Sequence, residues 1–373
     1  MSNPLRQLEA QGQAVWLDFV ERDFVARGDL KRLVEEDGVT GVTSNPSIFE
    51  KAIGQSAAYD EGLATFDAVH PHATPVERYE SLALADIRAA ADVLRPVYDR
   101  LGGADGYVSL EVSPFLAHDV DGTIAEAKRL WAALDRPNAM IKVPGTLEGV
   151  LAIRALTEAG INVNVTLLFA IDAYGAVAEA YLAGLETRLA RGERISHIAS
   201  VASFFVSRID SAIDGEIDRR VAAGDAESEA LGALRGKVAI ANARLAYLHY
   251  QGVVASARWR TLAEAGARPQ RLLWASTGTK DPAFPDTLYV DTLIGPDTVN
   301  TMPPKTLDAF RDHGAAAETL TGDVRGALKI MAEVERLGLD LSGVADRLTA
   351  DGVKQFADAA TTLLDAIEAK QPA

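Results

Sequence analysis

The sequence predicts an α/β protein in which eight parallel strands close into a (β/α)8 barrel with additional helices around it. Short β-branched apolar runs alternate with longer amphipathic segments, which is typical of parallel strands joined by helices. Eight such runs occur, the number that closes a TIM barrel. Polar residues recur near the carboxyl ends of the runs, where barrel enzymes build their active sites. Periodicity alone leaves an open doubly wound sheet as an alternative.

The predicted strands are short runs rich in valine, isoleucine, threonine and aromatic residues. They lie at residues 15–19, 39–44, 107–112, 139–144, 162–169, 197–203, 271–277 and 288–292.

Helices are predicted between these strands, and several end at a glycine, which suits a left-handed C-cap. The clearest are residues 148–159 before Gly160, 170–191 before Gly192 and 207–223 before Gly224.

Three regions are longer than a simple strand–helix unit requires. Residues 46–105 should carry at least two helices, one of them spanning roughly 76–100. Residues 204–270 should carry two more, the second a continuous run over 228–257, and residues 305–370 should form three. Since no linker, low-complexity tract or short repeat interrupts the chain, we expect a single domain over residues 1–373. The extra helices would cover the barrel or mediate assembly, which allows a homo-oligomer.

Composition restricts the classes of partner. The 373 residues are 48% hydrophobic and carry a net charge of −16, with no cysteine. Such a surface repels nucleic acid and anionic lipid, so neither is an expected partner, and an anionic substrate requires a local basic pocket. Absence of cysteine excludes thiolate catalysis and Cys-ligated metals. A polar N-terminus and the lack of a long apolar window predict a cytoplasmic protein without a membrane span.

Polar residues fall on one face of five predicted strands, by period-two alternation. In a barrel this face points inward, and the polar positions lie toward the open end. A lone strand-end lysine is usually a solvated or ion-paired residue, so the prediction of a site rests on the convergence. The converging residues are Asp18, Thr43, Asn45, Glu111, Lys142, Asn164 and Thr166.

This set suits carbonyl chemistry on a lysine. An amine attacks a carbonyl only in its neutral form, and Lys142 lies among apolar neighbours that favour a dry setting. Dehydration of the resulting carbinolamine needs a proton shuttle, for which Glu111 and Thr166 could hold a water. Asp18 is the candidate base for a hydroxyl next to a breaking carbon–carbon bond. The two asparagines of the set offer donors and acceptors to sugar hydroxyls.

These residues lie in motifs that resemble the transaldolase family, in its longer bacterial type. The matching motifs are TSNPS at 43–47, IKVP at 141–144, INVNVTLLF at 161–169, ASFFVSR at 202–208 and WASTGTK at 274–280. Each motif is moderately specific, and together and in order they are highly specific.

The resemblance implies a cofactor-free transferase of the non-oxidative pentose phosphate pathway. Lys142 would form an imine with C2 of fructose 6-phosphate or sedoheptulose 7-phosphate, and Asp18 would accept the C4 hydroxyl proton as the C3–C4 bond breaks. The dihydroxyacetone unit would then pass to glyceraldehyde 3-phosphate or erythrose 4-phosphate. Glu111 and Thr166 would hold the water for imine formation and hydrolysis.

The resemblance also implies the substrate contacts. Residues expected to contact the sugar or shape its pocket are Thr43, Asn45, Asn164, Ser203 and Phe205, and those expected to bind phosphate are Arg208 and Ser276. Shorter transaldolases have an arginine where this chain has Gly278, and Lys280 is expected to replace it. A lysine binds phosphate as a point charge and lacks the bidentate arginine fork.

Three alternatives remain at this stage. A fructose 6-phosphate aldolase would release free dihydroxyacetone from the same imine, but those relatives are much shorter and carry a tyrosine at the position of Glu111. A metal-dependent sugar aldolase or isomerase needs a cluster of histidines and carboxylates, and His70 and His72 form the only close histidine pair. No metal site is therefore predicted. A scaffold without activity is the third alternative, since a fold alone never establishes function.

Overall fold

The computed structural model describes residues 3–370. Eight parallel strands follow one another around a closed barrel in chain order, with the last paired to the first. The strands are β1 (Gln13–Leu17), β2 (Val39–Val42), β3 (Tyr107–Glu111), β4 (Ala139–Pro144), β5 (Val163–Leu168), β6 (Ser200–Phe205), β7 (Arg271–Ala275) and β8 (Thr298–Met302). The predicted closed barrel is confirmed.

Helices surround the barrel and fill the longer connections. They are α1 (Pro4–Ala10), α2 (Arg22–Ala26), α3 (Asp29–Arg32), α4 (Pro46–Gln55), α5 (Asp60–Val69), α6 (Pro75–Arg100), α7 (Val120–Leu134), α8 (Leu147–Glu158), α9 (Ile171–Ala190), α10 (Ser207–Ala222), α11 (Ser228–Gly232), α12 (Val238–Ala255), α13 (Ala257–Glu264), α14 (Leu288–Asp291), α15 (Pro304–His313), α16 (Val324–Arg336) and α17 (Leu341–Ala369). None of the helices within residues 3–370 has both the length and the apolar character needed to cross a membrane.

The eighth predicted strand is wrong. Residues 288–292 form the short buried helix α14, and the true strand β8 begins at Thr298. A short apolar run fits a buried helical turn as well as a strand, and periodicity does not separate them. Strand β8 is polar on both faces, because Thr298 bonds the Gln13 amide outside the barrel and Thr301 faces the interior. Because β8 is polar, a search for apolar runs did not identify it as a strand.

Two other predicted elements differ from the structure, a strand in its bounds and a helix in its continuity. Strand β6 begins and ends later than residues 197–203, because the preceding Ile195 and Ile198 belong to a separate apolar cluster with Trp259. The continuous helix predicted over 228–257 is wrong: it is divided into α11, α12 and the start of α13. The break follows Gly232 and contains Gly236, whose positive φ of 67° no continuous helix accepts.

Strand register places the polar residues side by side. Glu111 is level with Lys142 on the neighbouring strand, and Lys142 is level with Asn164 on the next. Below them, the interior is filled by Trp16, whose ring lies where a side chain on Gly41 would be, since a Cβ there would approach the ring to 2.4 Å. The barrel is thus packed beneath its polar mouth.

The last helix crosses the mouth of the barrel. Gly352 of α17 lies against Leu167, a residue of β5 with a positive φ of 60°, and Phe356 lies above Lys142. The far end of α17 is held by Arg78 of α6, which is 1% exposed, forms an ion pair with Asp67 at 2.7 Å and donates a hydrogen bond of 2.5 Å to the carbonyl of Ile367. This buried anchor keeps α17 over the site.

Arg78→Ala should destabilise the protein by about 3–5 kcal/mol, because it leaves the Asp67 carboxylate without its buried partner. Urea unfolding followed by circular dichroism measures the change. Arg95→Ala is the matched control on the same helix, since its pair with Asp99 is exposed; it should cost about 0.2–1 kcal/mol. Equal losses for the two variants would contradict the anchoring role of Arg78.

Candidate active site

A cavity of about 320 Å³ opens at the carboxyl ends of the strands. The predicted site residues that line it are Asp18, Thr43, Asn45, Lys142, Thr166, Ser203, Phe205, Arg208, Ser276 and Lys280. Glu111 and Asn164 lie behind its wall, where each contacts a lining residue. The structure therefore brings the whole predicted set to one place.

Lys142 is buried at the centre of the site. Its Nζ lies 3.2 Å from Oε2 of Glu111 and donates a hydrogen bond of 3.1 Å to the carbonyl of Ser44. The ring of Phe356 from α17 is centred 5.7 Å from the same nitrogen. The amine is thus held by β3 and by the segment that follows β2, it is covered by one helix, and it lines the cavity.

Glu111 is the neighbour that can exchange a proton with Lys142. Burial raises the pKa of Glu111, and the positive charge of Lys142 opposes the rise. A carboxylate with a raised pKa accepts a proton more readily than a solvated one. Thr166 lies on the next strand but one, and its buried hydroxyl has no hydrogen-bond partner among residues 3–370.

Asp18 follows β1 and is held by a short hydrogen-bond chain. The Thr43 hydroxyl donates to Oδ1 of Asp18 at 2.6 Å. Since that hydroxyl has a single proton, its 2.7 Å contact with the Thr301 hydroxyl makes Thr301 the donor to Thr43. Burial raises the pKa of Asp18, while Lys142 and the hydrogen bond from Thr43 lower it. The result is an oriented carboxylate at the cavity wall.

The two asparagines occupy different positions. Asn164 is fully buried, with its amide donating to Ser109 at 2.9 Å and its oxygen accepting from Ser203 at 2.7 Å. Asn45 uses its side-chain oxygen to cap α4 through the N–H of Ile48 at 3.0 Å, so its NH2 group is the part that remains for the cavity. Asn45 therefore lines the cavity itself, whereas Asn164 holds Ser203 from behind the cavity wall.

Three further positive side chains line the cavity. Arg208 lies in the first turn of α10 with its guanidinium 5.3 Å from the centre of the Phe205 ring. Burial lowers the pKa of Arg208, and Asp18 opposes this shift. Lys280 and Lys51 line the cavity from other segments, and none of the three cations has a salt-bridge partner within residues 3–370. This is the local basic pocket that an acidic chain needs for an anionic substrate.

Ser276 stands in an uncommon backbone conformation. Its φ is 56°, in the left-handed region that non-glycine residues seldom adopt. Its hydroxyl contacts that of Ser207 at 2.9 Å, which joins the end of β7 to the start of α10. Backbone strain of this kind concentrates at ligand sites.

Eight lining residues were not among the predicted ones, and three of them bear directly on the charge, the hydrogen bonding or the cover of the site. Lys51 lies in the second turn of α4, four residues after Ser47, which also lines the cavity. This spacing places the two residues on one face of the helix, so the position of Lys51 could have been predicted from the sequence once that helix is placed. Thr301 was missed because the eighth strand was placed too early. Phe356 had no signal in the sequence, because its position depends on how α17 docks.

Within residues 3–370, no group of three histidines or carboxylates is placed to hold a metal ion. His70 and His72 lie in an exposed turn between α5 and α6.

Comparison with known proteins gives one consistent result. The family model for Transaldolase/Fructose-6-phosphate aldolase matches residues 15–367. A protein from Parafrankia named transaldolase is 50% identical over 98% of both chains, and one from Thermobifida fusca with the same name is 51% identical over 98% of both. A Nostoc protein named transaldolase 2 is 47% identical over 99% of this chain and 97% of its own.

Proposed function

Since the chain belongs to the transaldolase and fructose-6-phosphate aldolase family, and is by its full-length similarity a transferase of the transaldolase type, we propose that it transfers dihydroxyacetone through a Schiff base on Lys142. The observation that carries the proposal is the buried amine of Lys142, paired with Glu111 and open to a cavity that also holds Asp18.

The first step is formation of the imine. Glu111 takes the ammonium proton from Lys142 across 3.2 Å, which leaves a neutral amine. The amine attacks C2 of the ketose, and the carbinolamine loses its hydroxyl as water. Glu111, with the hydroxyl of Thr166, would return the proton that this departure needs. The same two groups would hold the water that later hydrolyses the imine.

The second step is cleavage of the C3–C4 bond. Asp18 takes the proton of the C4 hydroxyl, C4 becomes an aldehyde, and the bonding electrons move to the imine to form an enamine. The aldose phosphate leaves while three carbons stay bound to Lys142. In the reverse sense, the enamine attacks C1 of the acceptor aldehyde, and Asp18 returns its proton to the new hydroxyl. The raised pKa of Asp18 suits this exchange.

The remaining lining residues would recognise the substrate. Asn45 and Ser203 would bond sugar hydroxyls, with Thr43 and Asn164 holding the groups behind them. Arg208, Ser276 and Lys280 would bind the phosphate at the far end, with Lys280 as a point charge in place of the arginine fork. Among residues 3–370, Arg208 and Lys280 have no salt-bridge partner although both line the cavity, which supports this assignment.

Fructose 6-phosphate aldolase activity is the neighbouring alternative within the family. Glu111 favours transfer over simple cleavage, because the aldolases carry a tyrosine at this position. Full-length relatives named transaldolase favour transfer as well.

We also propose a cytoplasmic location, because phosphorylated sugars are made and consumed there. A homo-oligomer and the lack of a nucleic-acid partner stay predictions from the sequence.

Transfer should exceed release by a wide margin. With fructose 6-phosphate and erythrose 4-phosphate, we expect rapid formation of glyceraldehyde 3-phosphate, measured by a coupled dehydrogenase. Without the acceptor, free dihydroxyacetone should form only slowly, because the enamine stays bound. Release of dihydroxyacetone as fast as transfer would overturn the transaldolase assignment.

Lys142→Arg keeps a cation beside Glu111 but forms no stable imine, so it should lower kcat on the order of a thousandfold or more while the fold stays intact.

The pH profile should report Asp18. The base must be ionised, so a raised pKa makes kcat/KM fall on acidification at a higher pH than an ordinary carboxyl group would. The hydrogen bond from Thr43 favours the ionised form, and therefore Thr43→Val should move this acid limb to still higher pH. Thr301→Val is the matched control, since it leaves the donation from Thr43 to Asp18 in place and should shift the limb less. A Thr43→Val limb at unchanged or lower pH would count against Asp18 as the base.

A further inference from the structure

The candidate phosphate ligands come from two separate segments of the chain. Arg208 belongs to the first turn of α10, whereas Ser276 and Lys280 belong to the 276–287 loop between β7 and α14. The two segments touch through Ser207 and Ser276, at the end nearest the barrel. Lys280 lies further out and is exposed, so this contact alone does not hold it against α10.

A line of carboxylates runs along α10. Asp210, Asp214 and Asp218 follow one another at four-residue spacing, which puts them on one face of the helix. Like charges at this spacing destabilise a helix, and two of the three are buried. The negative charge of these three carboxylates must therefore be balanced by groups from outside the helix.

The groups that balance this charge come from one short segment and the helix that follows it. We call residues 233–237, between α11 and α12, the connector. The N–H of Gly236 donates to the Asp214 carboxylate at 3.1 and 3.2 Å, and the Arg235 guanidinium forms an ion pair with Asp218. Just beyond the connector, the N–H of Ala239 donates to Asp210 at 2.8 Å. Each carboxylate therefore has its own partner.

The connector also holds the 276–287 loop. The second nitrogen of the Arg235 guanidinium lies 2.8 Å from the carboxylate of Asp281, the residue that follows Lys280. Phe284 of the same loop packs on Gly236 so closely that a Cβ there would lie 2.7 Å from the ring. A third link joins α10 to the end of this region, because the Tyr289 hydroxyl donates to Asp210 at 3.0 Å.

We propose that the connector is a positioning element that holds Lys280 against α10 and thereby sets the affinity for the substrate phosphate, with Arg235 and Asp281 as its positioning residues. The inference rests on the proposed function, since it takes Arg208 and Lys280 as phosphate ligands. It gives a role to the break between α11 and α12: a continuous helix would not present Arg235 to Asp218 and Asp281 together.

Asp281→Ala is the sharpest variant, because it releases the loop and leaves the contacts of Arg235 with α10. The Arg235–Asp281 pair lies at the surface and is partly exposed, and such pairs contribute up to about 1 kcal/mol. The KM for fructose 6-phosphate and the inhibition constant of inorganic phosphate should therefore each rise by about three- to fivefold. The value of kcat should change less than twofold, about 0.4 kcal/mol or less in barrier. Free fructose, which lacks the phosphate, should keep its kcat/KM. Asp281→Glu should restore much of the phosphate affinity.

Arg219→Ala is the matched control, since it removes an arginine–carboxylate pair from the exposed face of α10 without touching the loop. It should leave both constants unchanged. If Asp281→Ala leaves both constants unchanged, or lowers kcat/KM for free fructose by the same factor as for fructose 6-phosphate, the connector has no role in phosphate affinity.

Arg208→Ala separates this failure from a failure of the proposed function. A weaker phosphate affinity in Arg208→Ala but not in Asp281→Ala would overturn the connector and keep the phosphate site. An unchanged phosphate affinity in both variants would overturn the phosphate site and the connector with it.

Discussion

The buried contact between Lys142 and Glu111 is the interaction around which the site is organised. Two ionisable groups at 3.2 Å are withdrawn from water by neighbouring strands, at a desolvation cost of several kcal/mol per ion that their attraction only partly offsets. A pair of this kind contributes little to stability, so its placement is explained by chemistry. It needs a wall that excludes water, and Phe356 from the C-terminal helix supplies one. The anchor of that helix at Arg78, far from the mouth, thus holds the cover over the amine that we propose to react.

Charge is separated within the cavity. The groups that we propose to transfer protons lie at the strand ends, where Thr43 and Thr301 orient Asp18 and where Lys142 faces Glu111. Cations without carboxylate partners in the described chain lie on the helix and loop side, where an acidic protein can accept an anionic substrate. The α10 carboxylates show the opposite arrangement, since each is matched by a donor from the connector or from α12. The cavity cations are thus left for a ligand, while the carboxylates of α10 are paired within the protein.

The sequence was sufficient where a residue's position follows from strand periodicity. Alternation along the first five strands put Asp18, Glu111 and Lys142 on the inner face, and the closed barrel brings them together. The sequence was insufficient where tertiary packing determines whether a segment forms a strand or a helix. An apolar run at 288–292 is a buried helical turn. The polar strand β8 is accommodated because Gln13 bonds Thr298 on one face and Thr43 bonds Thr301 on the other. Nothing local indicates that Phe356 lies over the site, since that depends on a helix docking from the far end of the chain.

We propose that Lys142 carries the substrate as an imine, and reduction of this imine with borohydride is the most direct test. The protein is incubated with fructose 6-phosphate, reduced, digested and mapped by mass spectrometry. Because the aldose phosphate leaves before reduction, we expect a three-carbon adduct on the peptide that contains Lys142, and none in protein reduced without the sugar. A six-carbon adduct on this peptide would show that the imine forms but that the C3–C4 bond is not broken before reduction. An adduct on another lysine, or no adduct at all, would contradict the account.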